Sequence, residues 1–183
     1  MRKDFGPKPI LYPMPVLILG TYNEDGTPNA MNAAWGGICG ENKIIIDLGG
    51  HRTTDNLLRN EAFTVAVADA AHVVEADYVG VVSGNEVPDK VARAGLHTVA
   101  SSRVNAPIFE EFPITLECRL LRVTEEGVVG EILNVCADER VLDGAGQIDP
   151  SKVEAITYDP VGHTYIKLGN VVGHAFSDGM RLK

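Results

Sequence analysis

The sequence predicts a mainly β chain with a few short helices, folded as a closed or split antiparallel barrel. Three observations carry this expectation. Short apolar segments, alternating or β-branched, recur along the chain between clusters of Gly, Pro, Asn and Asp. The helical patterns between them are short. Two long segments, 113–123 and 128–138, are separated only by the turn around "TEEG" and read as a hairpin. Many short strands with few helices favour a sheet that curls on itself over βαβ layering.

"PVLILGTY" (15–22) is the first strand, and Asp25-Gly26 in "NEDGTPN" is a hairpin turn signal. "NAMNAAWGGI" (29–38) returns as one strand of small residues, against whose backbone a flat group can lie closely. "KIIIDLG" (43–49) is a strongly β-branched third strand. "EAFTVAVAD" (61–69) alternates Phe63, Val65 and Val67 against smaller residues and is the fourth. Between the third and fourth, Thr53 or Thr54 is expected to cap the short helix "DNLLRN". A second helix is expected over "AAHVVEADYV" (70–79), stopped by Gly80. A third falls within "SGNEVPDKVARAG" (83–95), with Pro88 in its first turn and Gly95 as its stop. In "PITLECRLLRV", Ile114, Leu116, Cys118 and Leu120 form the core face, and Thr115, Glu117 and Arg119 the opposite, polar one. Asp149 resembles a cap, with Pro150 at the first helical position. No linker, repeat or low-complexity stretch interrupts the chain, so residues 1–183 read as one domain.

At 183 residues the chain is long enough to bury a core without disulfides or metals. Its 45% hydrophobic and 22% charged residues are those of an ordinary globular chain. A net charge of −9 argues against general nucleic-acid binding, but not against a small anion held by a few local cations. Cys39, Cys118 and Cys136 are widely spaced without a CxxC and read as buried thiols. "MRKDFGPKPILYP" lacks the apolar centre of a signal peptide, and no apolar run approaches the ~20 residues of a membrane helix. A cytoplasmic protein with no membrane partner is the expectation.

The stretch "GGHRTTDN" (49–56) gathers cation, hydroxyls and backbone amides at a helix start. A helix start offers unpaired N–H groups and the positive end of a dipole. Arg52 can grip phosphate oxygens in a fork, and Thr53 and Thr54 add hydroxyl donors. The plain alternative is a capping Thr and a surface Arg52. GxGxxG and GxxxxGK[ST] are both absent, so a phosphate here belongs to a different cradle. "NAAWGG" (32–37) is the second candidate, a strand along which a flat ring can lie, with Trp35 either lining that pocket or packed in the core. His51, His72, His97, His163 and His174 lack metal-like spacing and HExxH is absent, so no metal site is expected. His163 and Tyr165 lie two apart on one side of an expected strand, with surface or core roles favoured over catalysis. GxSxG is absent as well.

Taken together, "PMPVLILGTYNEDGTPNAMNAAWGG", "HRTTDNLLRNEAFTVAV", "SGNEVPDKVARAGL" and "HTYIKLGNVVGHAF" resemble the flavin reductase-like family with the FMN-binding split barrel, in its flavoredoxin-type branch. The match spans residues 13–97 and, more weakly, the tail. The resemblance implies a homodimer with one non-covalent FMN per subunit. By the same resemblance, the strand Asn32, Ala33, Ala34 and Trp35 runs along the isoalloxazine, and the loop His51, Arg52, Thr53 and Thr54 takes the phosphate. Ser83, Gly84 and Lys90 then lie near that phosphate or close the site. Since the flavin carries the redox chemistry, no catalytic acid or base is required. The expected function is an NAD(P)H-dependent flavin reductase or flavoredoxin-like oxidoreductase, with a nicotinamide nucleotide or a redox protein as electron partner. The alternatives are a non-enzymatic FMN-binding electron carrier and a flavin- or haem-binding module.

Overall fold

A computed structural model describes residues 1–183. The strands are β1 (Met14–Pro15), β2 (Leu17–Tyr22), β3 (Pro28–Ala33), β4 (Gly36–Gly40), β5 (Lys43–Ile46), β6 (Ala62–Val67), β7 (Thr98–Ala100), β8 (Pro107–Phe109), β9 (Ile114–Thr124), β10 (Gly127–Ala137), β11 (Ile156–Asp159) and β12 (Thr164–Lys167). The helices are α1 (Arg52–Asn60), α2 (Val73–Val81), α3 (Lys90–Arg93) and α4 (Pro150–Val153). Seven strands form an antiparallel sheet in the order β3–β2–β6–β9–β10–β5–β4. β1–β11–β12 and β7–β8 form two smaller sheets. None of the helices is long and apolar enough to cross a membrane.

β3 and β4 sit at opposite edges of the large sheet, yet only Ala34 and Trp35 separate them in the chain. The sheet therefore curls until its edges meet at one end, and no ladder joins them along their length. This is a split barrel, the second of the two expected forms. Residues 29–38 were expected as one strand. The chain instead breaks at Ala34-Trp35, because continuing the pairing of β3 with β2 would keep it away from β5, where Gly36 to Gly40 pair. Asp47 N–H donates to the Trp35 carbonyl across this junction at 2.8 Å.

Strand alternation feeds two cores. From β2, Leu17 and Leu19 point into the barrel with Phe63 and Val65 of β6, Ile44 and Ile46 of β5, and Leu57 of α1. Ile18 of β2 and Ala66 of β6 face the other way, against Ala76 and Val79 of α2 and Phe109 of β8. Each such side chain contributes about 1.5–3 kcal/mol on full burial. α1 stops the barrel with Leu57 while its polar neighbours Thr53 and Asn56 are also buried.

The β7–β8 hairpin covers the outer face of β6 and β9, with Thr64 Oγ1 donating to the Pro107 carbonyl. This overturns the polar-outward reading of β9: Glu117 and Thr115 are each 2% exposed. Glu117 stays satisfied because the Ser101 hydroxyl and the Asn134 amide both donate to its carboxylate. Arg119, the third residue of that face, does lie exposed.

Four smaller expectations change. Pro88 lies before Asp89, the N-cap of α3, and not in the first turn of that helix. α2 runs through Gly80 to Val81, so Gly80 is no helix stop. A Cβ at Gly80 would lie 2.9 Å from the Asn32 Cβ, and glycine lets α2 press against β3 there. Cys39 lies exposed on edge strand β4, Cys136 is half-buried and Cys118 is fully buried, so the three thiols are not alike. Burial raises the Cys118 thiol to about 12. His163 precedes β12 in a left-handed turn (φ 53), so it does not share a strand with Tyr165. As expected, Asp149 Oδ1 accepts from Ser151 N–H at 2.9 Å with Pro150 at the start of α4, and the chain leaves α3 near Gly95.

Candidate functional site

α1 begins directly after the expected anion loop. His51 is its N-cap residue, in extended conformation and without a side-chain cap bond. The first-turn N–H groups of α1 therefore lack the side-chain acceptor that usually satisfies one of them. Neither threonine caps the helix. Thr53, one residue inside, is buried and its Oγ1 accepts from Asn29 Nδ2 at 2.7 Å. Thr54 donates its hydroxyl to the Gly49 carbonyl at 2.7 Å. The Arg52 guanidinium takes part in no ion pair or hydrogen bond of the chain, and its charge helps hold the Asp25 carboxyl below its ordinary range, after the larger effect of the Thr27 hydrogen bonds.

Opposite this helix start lie the C-terminal end of α2 and the Ser83-Gly84 turn. The turn comes close because position 84 lacks a side chain: a Cβ there would sit 2.5 Å from Asn29 Oδ1 and 3.3 Å from the Arg52 Cβ. Lys90 is 3% exposed, and its ammonium donates to the Val79 carbonyl at 2.9 Å and the Val82 carbonyl at 2.8 Å. Its main structural role is to satisfy the last carbonyls of α2, which sequence reasoning missed. Burial lowers its pKa to about 8.

These walls enclose a cavity of about 200 Å³ lined by Asn32, His51, Arg52, Thr53, Ser83, Gly84 and Lys90. Thr54 does not line it. A second cavity of about 180 Å³ is lined by Asn32, Ala34, Trp35, Asp77, Tyr158 and Tyr165. The two share Asn32, Gly80 and Val81 and form one cleft. Together, though not singly, they reach the lower end of the ~300–1,000 Å³ range of small-molecule sites. A larger cavity, about 530 Å³, is elsewhere, between the segment Lys8–Pro15 and Trp35. It holds none of the anion-loop residues and meets the cleft only at Ala34 and Trp35.

The floor of the cleft is β3, which pairs only with β2 and so has one free edge. Asn32 is fixed there by donating Nδ2 to the Ala76 carbonyl at 3.0 Å. The Ala33 side chain points into the barrel core, and Ala33 lines neither cavity. Trp35 is 51% exposed, so it is a wall residue and not a core residue. Its ring centroid is 6.4 Å from that of Tyr158, which is in turn 6.2 Å from Tyr165. Tyr165 donates to Asp77 Oδ1 at 2.8 Å, and burial, followed by this bond, raises its pKa to about 12. His163 stays outside, hydrogen-bonded through Nδ1 to the Tyr158 hydroxyl at 2.8 Å.

The cleft thus has a cationic, donor-rich end and an aromatic, flat end. Sequence reasoning found most of the first. It missed Asp77, Gly80 and Tyr158 and underrated Tyr165. Asp77 and Tyr165 are 88 residues apart, so no local pattern pairs them.

A family model described as a flavin reductase like domain matches residues 10–152. The solved structure of flavoredoxin of Desulfovibrio vulgaris (Miyazaki F) superposes with a TM-score of 0.94 at 37% identity, covering 98% of this chain and 100% of that one. Flavoredoxin from Methanosarcina acetivorans gives 0.87 at 25% identity, covering 100% of both chains. An uncharacterised protein, YdfE, of Bacillus subtilis (strain 168) is 27% identical over 95% of this chain and 93% of its own length.

Proposed function

This chain belongs to the flavin reductase-like family, and from that premise we propose that it is an FMN-binding oxidoreductase that passes electrons between a nicotinamide nucleotide or a redox protein and an acceptor. The observation that carries the reading is the joining, in one cleft, of the uncapped start of α1 with its unpaired Arg52 to the free edge of β3. The residues present fit such a cofactor. Arg52, the first-turn N–H groups of α1 and Ser83 can hold one phosphate, while Asn32, Ala34 and Trp35 offer a narrow slot for a ring. One phosphate cradle without a pyrophosphate fingerprint favours FMN over FAD.

Bound FMN supplies the two-electron chemistry, accepting a hydride and releasing electrons singly or in pairs. The chain binds and orients. The bond from Asn32 to α2 fixes the slot width, and Trp35, Tyr158 and Tyr165 keep water from one side of it. No side chain is required as a general acid or base.

The test is a titration of the purified protein with FMN, FAD and riboflavin, followed by anaerobic mixing of the FMN-loaded protein with NADH or NADPH. FMN should bind more tightly than FAD, and the flavin absorbance should bleach with one nucleotide. Bleaching only by a reduced partner protein would mark an electron carrier instead. No uptake of any flavin would overturn the reading.

A further inference from the structure

Asn29 lies beneath the anion end of the cleft without lining it. It is 1% exposed on β3. Its Nδ2 donates to Thr53 Oγ1 at 2.7 Å and, more weakly, to Thr21 Oγ1 at 3.5 Å. Its Oδ1 faces Gly84, where an added Cβ would meet it at 2.5 Å. One carboxamide therefore touches both walls of the cradle, the start of α1 and the Ser83-Gly84 turn.

The hydroxyl chemistry of Thr53 gives this contact a direction. A threonine hydroxyl has one proton to donate and lone pairs to accept with. Thr53 accepts from Asn29 on its inner side. Inside a helix the usual destination of its proton is the carbonyl four residues earlier. For Thr53 that is the Gly49 carbonyl, which already accepts the Thr54 hydroxyl at 2.7 Å. Thr53 makes no donor bond within the chain, although it is 2% exposed and lines the cleft. No acceptor of the chain takes its proton, and Thr53 lines the space beside Arg52.

We propose that Asn29 is a positioning residue for phosphate recognition: by donating to Thr53 Oγ1 it turns the Thr53 hydroxyl proton outward, toward the phosphate of the bound cofactor. This rests on the FMN reading above. It also assigns different roles to two adjacent threonines, with Thr53 a ligand donor and Thr54 a strut of the loop.

The experiment measures FMN and riboflavin affinity for the apoprotein by flavin fluorescence quenching, in wild type, Asn29→Ala, Thr53→Val, the double variant and Thr53→Ser. Riboflavin lacks the phosphate, so its affinity reports whether the site is still folded. Losing one hydrogen bond to a charged group should weaken FMN roughly tenfold in Asn29→Ala and in Thr53→Val, with riboflavin unchanged. The double variant should lose no more than Thr53→Val alone, because Asn29 acts through Thr53. Thr53→Ser should keep the wild-type preference for FMN. If Asn29→Ala does not fold, the contrast between Thr53→Val and Thr53→Ser decides the matter. Wild-type preference for FMN in Asn29→Ala, or in Thr53→Val, overturns this inference and leaves the FMN reading standing, as do additive losses in the double variant. A wild-type protein that takes up neither flavin overturns both.

Discussion

The Lys90 side-chain nitrogen lies 2.9 Å from the Val79 carbonyl oxygen and donates to it. An ammonium is thus buried at the end of α2, and its pKa falls to about 8 through desolvation. Below pH 8 the group is charged both folded and unfolded, and the burial cost is constant. Between about pH 8 and the ordinary lysine value near 10.4, the unfolded chain binds the proton and the folded chain does not, so this group makes stability rise with pH. Lys90→Met removes that contribution. The stability difference between wild type and Lys90→Met, followed by urea unfolding, should move in favour of wild type from pH 8 to pH 10. A difference independent of pH would show that the folded-state amine is not shifted.

Arg52 and Thr54 should behave differently. Arg52→Ala removes a charged donor from the cleft, at a cost of about 1.5–3 kcal/mol, and FMN affinity should fall roughly ten- to hundredfold with riboflavin little changed. Thr54 bonds the Gly49 carbonyl and does not line the cleft. Thr54→Ala should loosen the loop and weaken both flavins in equal proportion. Isothermal titration with both ligands separates the two behaviours. Selective loss of FMN in Thr54→Ala would return that residue to the phosphate.

Trp35 is the only tryptophan and stands on the cleft wall. Flavin binding should therefore quench most of the protein's tryptophan emission, saturating with the same affinity that the flavin signal reports. Trp35→Phe should retain binding by the flavin signal. Emission unchanged at saturating FMN would place the ring away from this wall.

We propose that the chain assembles as the homodimer that the family resemblance implies. Val172 and Phe176, in the segment after β12, are fully exposed, and Leu11 and Trp35 are exposed beside the 530 Å³ cavity. An interface that covered these side chains would remove them from water. Light scattering at micromolar concentration should give twice the chain mass, and Val172→Asp combined with Phe176→Asp should shift the population toward monomer. A monomeric wild type that binds FMN fully would overturn the expectation of a dimer.

The sequence made legible what local chemistry dictates. Asp25-Gly26, the alternation in β6 and β9, the Asp149 cap and the donor-rich loop before α1 each announce themselves within a few residues. The misreadings have a common origin in distant cover. Glu117 looks outward by alternation, but the β7–β8 hairpin closes over it and Ser101 and Asn134 satisfy it. Gly80 looks like a helix stop, but its missing side chain serves the approach of β3 from 48 positions earlier in the numbering, at Asn32. Residues 29–38 look like one strand because nothing local signals that its two halves belong to opposite sheet edges. In the site, the loop carried its own evidence, whereas Asp77, Tyr158 and Tyr165 become neighbours only once β11 and β12 are laid beside α2.

The two-residue link between β3 and β4 also limits how the molecule can breathe. Three Cα steps separate Ala33 from Gly36, a span of at most about 11 Å, and the Asp47–Trp35 backbone bond shortens the freedom further. The sheet edges cannot hinge apart at this end without tearing that seam. A ligand seated beside Asn32 and Trp35 therefore enters and leaves by displacement of what covers the slot, the end of α2 and the Ser83-Gly84 turn, which Lys90 pins in place. The rate of cofactor exchange is then a property of that latch, and loosening it at Lys90 would speed release while the gauge of the slot stays the same.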